Sequence, residues 1–175
     1  MKPETVHSEN IHKGRIFDIR VDTLDDGDHQ YKREIVVHKG SAVILPVFED
    51  GTVALVRQYR HAAGEYLLEV PAGSLEIGED PELAAGRELE EEIGYRAGKL
   101  EKIAEFYVSP GFLTEKMFVY LGTDLTATAQ NLDEDEHIEI VRLPFTEALE
   151  MARDGRIQDA KTIVALLFAG QAVEN

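Results

Sequence analysis

Residues Gly73–Tyr95, GSLEIGEDPELAAGRELEEEIGY, place Glu88, Glu90, Glu91 and Glu92 on one short stretch of chain. Such crowding of like charge needs a physical reason. The stretch reads as a helix over Pro81–Ile93: Asp80 can cap it through a side-chain oxygen, Pro81 suits the first helical position, and Gly94 supplies the stop. Leu83, Ala84, Leu89 and Ile93 then form a narrow apolar stripe. Glu88, Glu91 and Glu92 stand at i, i+3 and i+4, on a shared face about one turn long. On an isolated helix each such pair costs roughly 0.2–0.5 kcal/mol. A divalent cation would turn that repulsion into binding energy. Carboxylate oxygens, with no cysteine and no patterned histidine, suit Mg²⁺ or Mn²⁺, which keep positions for water and substrate phosphates. A run such as ELEEE by itself is more often a solvated helix face.

The run is not by itself. The stretch fits G-x5-E-x7-R-E-U-x-E-E-x-G-U, with U aliphatic, at every position but the last, where Tyr95 stands. Seven fixed residues at ordinary usage of about 7% each coincide on the order of once in 10⁸ start positions. Local glutamate enrichment raises that figure without rescuing chance. The pattern is the Nudix box, and through it the chain resembles the Nudix hydrolases. The resemblance implies a loop, helix and loop that bind divalent metal and hydrolyse a nucleoside diphosphate linked to another moiety. Carried across position by position, it implies Glu88 and Glu92 as the main ligands, Glu91 assisting, and the Ala72 carbonyl as a further ligand, for more than one Mg²⁺ or Mn²⁺ ion. Glu79 and Arg87 are implied as a structural pair holding loop to helix. Gly86 sits mid-helix, at a cost of up to about 1 kcal/mol against Ala, and close backbone packing is one reason to find it there.

Outside the box, Ser109-Pro110-Gly111-Phe112, with Pro110 fifteen residues beyond Tyr95, resembles the mark of the ADP-ribose pyrophosphatase branch. So do Arg33-Glu34-Ile35, Arg57-Gln58-Tyr59-Arg60, Leu68-Glu69-Val70-Pro71-Ala72-Gly73 and Asp133-Glu134-Asp135-Glu136. This resemblance runs from about Lys32 to Thr162. It implies a catalytic base on the acidic loop: Glu134 matches best, Glu136 is the near alternative, Glu115 is a weaker one, and Glu91 adds a carboxylate in the box itself. It implies substrate binding by Arg33 near the adenosine end and Arg60 at the phosphates or terminal ribose, with Glu34, Pro110 and Gly111 from the same motifs. Arginine suits phosphate because its planar fork donates two parallel hydrogen bonds; a strand-end surface arginine is an equal alternative for both. The implied reaction cuts ADP-ribose to AMP and ribose 5-phosphate. Another nucleotide sugar, GDP-mannose or a UDP-sugar, is the alternative, since the box specifies the pyrophosphate and not the end groups. A sensor that binds without turnover would tend to lose box carboxylates or gain a DNA-binding domain, and every box carboxylate is present.

Working outward, Ile16, Ile19 and Val21 lie in a strand-like segment, DDGDH is a turn, and Tyr31–Val37 reads as a second strand. This hairpin would bury little unaided, so residues 1–40 are expected to be a small β extension. In the resembling branch such strands embrace a second subunit, which implies a homodimer with adenosine bound across its boundary. Met1–Asn10 is expected to be partly disordered. Residues 41–175 are expected to be the hydrolase domain. There Ala42–Phe48 and Thr52–Tyr59 read as a second hairpin around Glu49-Asp50-Gly51, with strands buried on both faces. Tyr66–Val70, Leu100–Val108, Met117–Gly122 and Ile138–Leu143 read as strands, and Phe145–Arg153 and Asp159–Ala172 as helices, the last with Ile163, Leu166, Leu167 and Phe168 inward. Mixed strands with helices at the middle and end predict an α/β fold, an α/β/α sandwich with a mixed sheet, carrying the N-terminal β extension.

The composition bounds the partners. A net charge of −16 repels nucleic acid and anionic membrane over most of the surface, so a polyanionic small molecule would be admitted by local cations such as Lys32 with Arg33, or Arg57 with Arg60. Zero cysteines exclude disulfides and thiolate metal sites. The N-terminus has no apolar run of signal-peptide length, and the run Ile163–Gly170 is too short to cross a bilayer, which predicts a cytoplasmic protein.

Overall fold

The computed structural model describes residues 2–132 and 136–173. The chain divides into two compact units, Met1–Gly40 with Phe106–Lys116, and Ser41–Glu105 with Met117–Asn175.

In the first unit, β1 (Glu4–Lys13), β2 (Asp18–Asp25) and β3 (Gln30–Val37) form an antiparallel sheet in sequence order. The expected disorder over Met1–Asn10 is corrected: β1 begins at Glu4 and pairs with β2 from Glu4↔Asp25 onward. Its side chains are exposed along the whole strand, so no apolar face marks it, and its order comes from backbone pairing together with a side-chain tie to β2. That tie is Ser8 Oγ donating to Asp22 Oδ1 at 2.6 Å. The Asp22 carboxyl is held below its ordinary range by this bond first, then by Arg20, against the opposing effect of burial. The β2–β3 turn is closed by Asp25 and Asp26, whose carboxylates accept from the N–H groups of Gly27, Asp28 and His29. Loop 108–115 is stitched to β3: Val36 N donates to Phe112 O at 2.8 Å and Thr114 N to Val36 O at 3.0 Å.

The second unit holds β4 (Ser41–Pro46), β5 (Thr52–Arg60), β6 (Glu65–Glu69), β7 (Ala72–Ser74), α1 (Pro81–Ile93), β8 (Tyr95–Tyr107), β9 (Lys116–Ala127), β10 (Ile138–Pro144), α2 (Phe145–Asp154) and α3 (Ala160–Val173), with the last residues of β8 and the first of β9 falling in the first unit. One sheet is mixed, ordered β7-β4-β9-β8, with β4 parallel to β9 and antiparallel to β7. The other is ordered β10-β5-β6 and is antiparallel. The result is the expected α/β architecture with a mixed sheet and flanking helices. The second hairpin is corrected. β4 and β5 belong to different sheets, and among the described residues hairpin-like pairing is confined to the turn beyond β4, in the isolated bridge Val47↔Val53 and the bond from Phe48 N to Thr52 O at 2.9 Å. β4 is buried at every residue and β5 over Val53–Val56, so each needs neighbours on both edges and faces, which one tight turn cannot supply.

Helix α1 packs Ala84, Ala85, Leu89 and Ile93 onto Ala42 and Ile44 of β4. Leu83 does not join that stripe; it is 71% exposed, and Ala85 takes the inward position. In α3, Leu166 is buried but Leu167 and Phe168 are exposed, because Thr162, Ala165, Leu166 and Ala169 already fill the inward arc. Tyr95, the departure from the box pattern, finds an aromatic partner in Phe48, edge to face with centroids 5.1 Å apart. Among the described residues no helix is long and apolar enough to cross a membrane.

Candidate active site

The site is built on α1, whose ends are both chemically specified. Asp80 accepts from Glu82 N at 2.8 Å, Pro81 opens the helix, and Gly94, left-handed at φ 70°, donates to Glu90 O at 3.0 Å. The caps fix the ends of the helix, and the packing of Ala84, Ala85, Leu89 and Ile93 into the core fixes its rotation. Glu88 and Glu92 therefore share the inward side with Leu89, and both are buried. Gly73 on β7 lies directly against the Glu88 carboxylate, where a Cβ would overlap it.

Arg87 organises the acidic cluster. Its guanidinium donates to Glu79 at 3.1 and 3.3 Å, to Glu88 Oε1 at 2.7 Å and to Glu91 Oε2 at 2.9 Å. Burial would lower the pKa of Arg87, but Glu79, Glu88 and Glu91 together hold it raised. Glu79 answers by also accepting from Glu76 N at 2.8 Å, which pins the loop ahead of α1.

Glu92 is the strained member. It is 5% exposed, its Oε2 is buried without a hydrogen-bond partner, and its pKa is pushed up to about 8 by burial first, then by the charges of Glu88 and Glu136. The Ala72 N–H and the charge of Arg60 oppose that shift. Glu88 is raised too, by burial first, with Glu91 and Glu136 adding to it and Arg87 opposing. The charge of Glu136 thus acts on both glutamates. Glu134, the other loop candidate, lies outside the described residues.

A divalent cation fits these groups. Among the described residues no three acidic or histidine side chains form a ready-made cluster, and Arg87 pairs with Glu88 and Glu91. Yet a buried carboxylate oxygen with no partner, beside two further carboxylates, is an uncompensated hard-oxygen donor set, and a cation relieves its mutual repulsion. Glu88, Glu91 and Glu92 would hold it, with the Ala72 backbone beside Glu92.

Arg60 is gripped on its Nε edge by Glu69, at 2.7 Å through Nε and 2.7 Å through Nη2. Glu69 also accepts from Lys161, and Asp159 and Thr162 complete a polar network at the start of α3. No motif or spacing in the sequence points to Asp159, Lys161 or Thr162 as partners of Glu69. A signal existed: Glu69 is a charge inside the apolar run LLEVPAG, which only buried partners would tolerate. Arg57 pairs with Glu139 at 3.2 Å.

Within the first unit, Arg33, Pro110 and Gly111 line one cleft of about 280 Å³ with Leu24 and Phe112. The Arg33 guanidinium lies 4.5 Å from the Tyr31 ring centroid. Glu34 projects from the opposite face of β3, as strand alternation requires, and does not line that cleft. Glu115 lies 3.7 Å from His38 Nδ1 in the same unit.

A family model described as the NUDIX domain matches residues 38–166. The chain is 39% identical over 171 residues to the ADP-ribose pyrophosphatase of Bacillus subtilis (strain 168), covering 96% of this chain and 92% of the relative. It is 38% identical over 164 residues to the GDP-mannose pyrophosphatase of Yersinia pestis (strain Pestoides F), covering 87% and 81% respectively. A crystal structure of an ADP compounds hydrolase shares the fold, with a TM-score of 0.86 at 24% identity over 99% of this chain and 95% of that one. With the box folded as a capped acidic helix and the family model spanning most of the sequence, the chain belongs to the Nudix hydrolase superfamily, closely related to its ADP-ribose pyrophosphatase branch.

Proposed function

We propose that this protein is a metal-dependent pyrophosphohydrolase that cuts ADP-ribose with water to AMP and ribose 5-phosphate. The observation that carries the reading is the partnerless, buried Oε2 of Glu92 beside Glu88 on a helix bearing the complete box. The likeness to an ADP-ribose pyrophosphatase over nearly the whole chain supports the choice of substrate. The likeness to a GDP-mannose pyrophosphatase favours a second reading, turnover of another nucleoside diphosphate sugar.

Glu88, Glu92 and the Ala72 carbonyl, with Glu91 assisting, would hold Mg²⁺ or Mn²⁺, more than one ion, whose chemistry there is to neutralise pyrophosphate oxygens and acidify water. The chain's own residues do the rest. Arg60 receives the diphosphate with the guanidinium edge that Glu69 leaves open. Arg87 keeps Glu88 and Glu91 aligned. Glu134, or Glu136 in its place, takes a proton as water attacks one phosphorus; the bond from that phosphorus to the bridging oxygen breaks, giving two phosphate monoesters. Arg33, with Pro110 and Gly111, takes the adenosine end, and the protein acts as a homodimer.

The test is product analysis with ADP-ribose, GDP-mannose and a UDP-sugar, in Mg²⁺, Mn²⁺ or chelator. Metal-dependent AMP release that favours ADP-ribose supports the proposal. Preference for GDP-mannose moves the substrate to the second reading, and no cleavage by folded, metal-loaded protein moves it to a sensor. A solution mass showing monomer alone refutes the dimer.

A further inference from the structure

Helix α3 is tied to Arg60 through the buried Glu69, and Lys161 and Asp159 at its start take no part in the bond-breaking steps. Glu69, 1% exposed on β6, is an anion that burial would drive toward protonation. It is instead held below its ordinary pKa range: burial raises it, but the hydrogen bonds and charges of Arg60 and Lys161 outweigh burial. Arg60 uses Nε and Nη2 on it, and Lys161 Nζ donates to Oε2 of the same carboxylate. Lys161 also donates to Asp159 Oδ1 at 2.9 Å. Asp159 caps α3, accepting from Thr162 N at 3.0 Å and from Thr162 Oγ1 at 2.5 Å. Thr162 Oγ1 in turn accepts from Val70 N at 2.8 Å, and Ile44 N holds Pro71 O at 3.0 Å. The segment 69–72, from the partner of Arg60 to the N–H that serves Glu92, is therefore fastened to α3 and β4 residue by residue.

The charge balance in this network is close. Arg60 and Lys161 are two cations facing the two carboxylates Glu69 and Asp159. Take Lys161 away, and a single negative charge is left over in a nearly dry place beside Arg60, whose charge also acts on Glu92. The charge of Arg60 would then be offset by Glu69 alone, although its hydrogen bonds to that carboxylate would be the same. With Lys161 in place, Glu69 is satisfied from two sides, and both Nη1 hydrogens of Arg60 remain for an incoming acceptor.

We propose that Lys161, through Glu69, is a positioning residue for the substrate diphosphate: it neutralises Glu69 so that Arg60 presents its outer guanidinium edge and its charge to the phosphates. This rests on the reading of Arg60 as a phosphate-binding residue. A role confined to folding would lower stability without separating substrate binding from turnover. Positioning of a binding arginine separates them.

The experiment uses full-length protein with Mg²⁺ and ADP-ribose, or whichever nucleotide sugar the panel selects, and ADP as a competitive inhibitor. Lys161→Met is expected to raise KM and the ADP inhibition constant together by about tenfold, with kcat within about twofold, and Lys161→Arg to restore most of the loss. Lys161→Gln, which keeps a donor but not the charge, is read in the same way if the Met variant does not fold. Arg60→Ala separates the two ideas. If Arg60→Ala raises both constants while the Lys161 variants leave them unchanged, or lower kcat alone, Lys161 is not a positioning residue and the Arg60 reading stands. If Arg60→Ala leaves both constants unchanged, the Arg60 reading fails and this inference goes with it.

Discussion

A Cβ placed on Gly73 would stand 2.0 Å from Oε1 of Glu88 and 2.5 Å from its Oε2. The first residue of the box is therefore glycine because its neighbour in space, fifteen positions along the chain, needs the volume. Gly73→Ala should push the Glu88 carboxylate off its position while leaving the core of α1 against β4 intact. A displacement of about 1 Å in a positioned group can cost on the order of 100-fold, and kcat/KM is expected to fall by about that much. Steady-state kinetics beside a circular dichroism melt decide it: near wild-type activity would show that the site relaxes around the methyl group.

Glu92 carries the opposite kind of strain, a buried carboxylate oxygen with no partner beside Glu88 and Glu136. Glu92→Gln removes the charge and keeps the shape. In chelator near neutral pH, the variant should be more stable than wild type by about 1–2 kcal/mol, since burial and the neighbouring carboxylates push Glu92 toward taking up a proton on folding and Gln is neutral from the start. It should also lose more than about 100-fold in activity. Mg²⁺ should raise the Tm of wild type and not of the variant, because an ion that binds only the folded state stabilises it. Equal Mg²⁺ shifts in both would remove Glu92 from the ligand set.

Glu69 supplies a pH dependence whose sign follows from its environment. Its folded pKa is depressed below the ordinary 4.5, so its contribution is present above that value and is lost as pH falls through the folded pKa. The protein should accordingly lose stability on acidification below about pH 4.5. Glu69→Gln should cost about 3 kcal/mol at pH 7, by leaving Lys161 and Arg60 without their shared anion, and should flatten the acid limb. Urea melts from pH 3 to 7 test both parts, and an acid limb unchanged in the variant would assign it to other carboxylates.

Gly86 turns out to have room. A Cβ there would meet Leu100 Cδ1 at 3.8 Å, an ordinary contact, so close backbone packing does not explain the glycine. Gly86→Ala should stabilise the protein by up to about 1 kcal/mol through helix propensity. For a chain of this size that is about 2–4 °C in Tm. Turnover should be unchanged, since the added methyl meets only Leu100 within 4 Å and touches none of the box carboxylates. A lower Tm would mean that the methyl group does not fit against Leu100.

What the sequence determined by itself is local. Asp80, Pro81 and Gly94 mark the ends of α1 by short-range hydrogen bonding and backbone preference, and the 3.6-residue period then puts Glu88, Glu91 and Glu92 on one side before any tertiary contact exists. The box, being contiguous, was legible, and with it the acidic face of α1. The tertiary structure decided what depends on neighbours distant along the chain. It sent β4 and β5 to different sheets, because burial on both faces is a property of what packs around a strand and not of the turn that joins it. It ordered β1 through backbone pairing, which leaves no trace in side-chain pattern. It turned Leu83 outward, since the inward arc of α1 was already filled by Ala84, Ala85 and Leu89. And it joined Arg60 to Lys161 through Glu69, across about a hundred residues of chain, because a buried carboxylate must find its cations in space, wherever the sequence has put them.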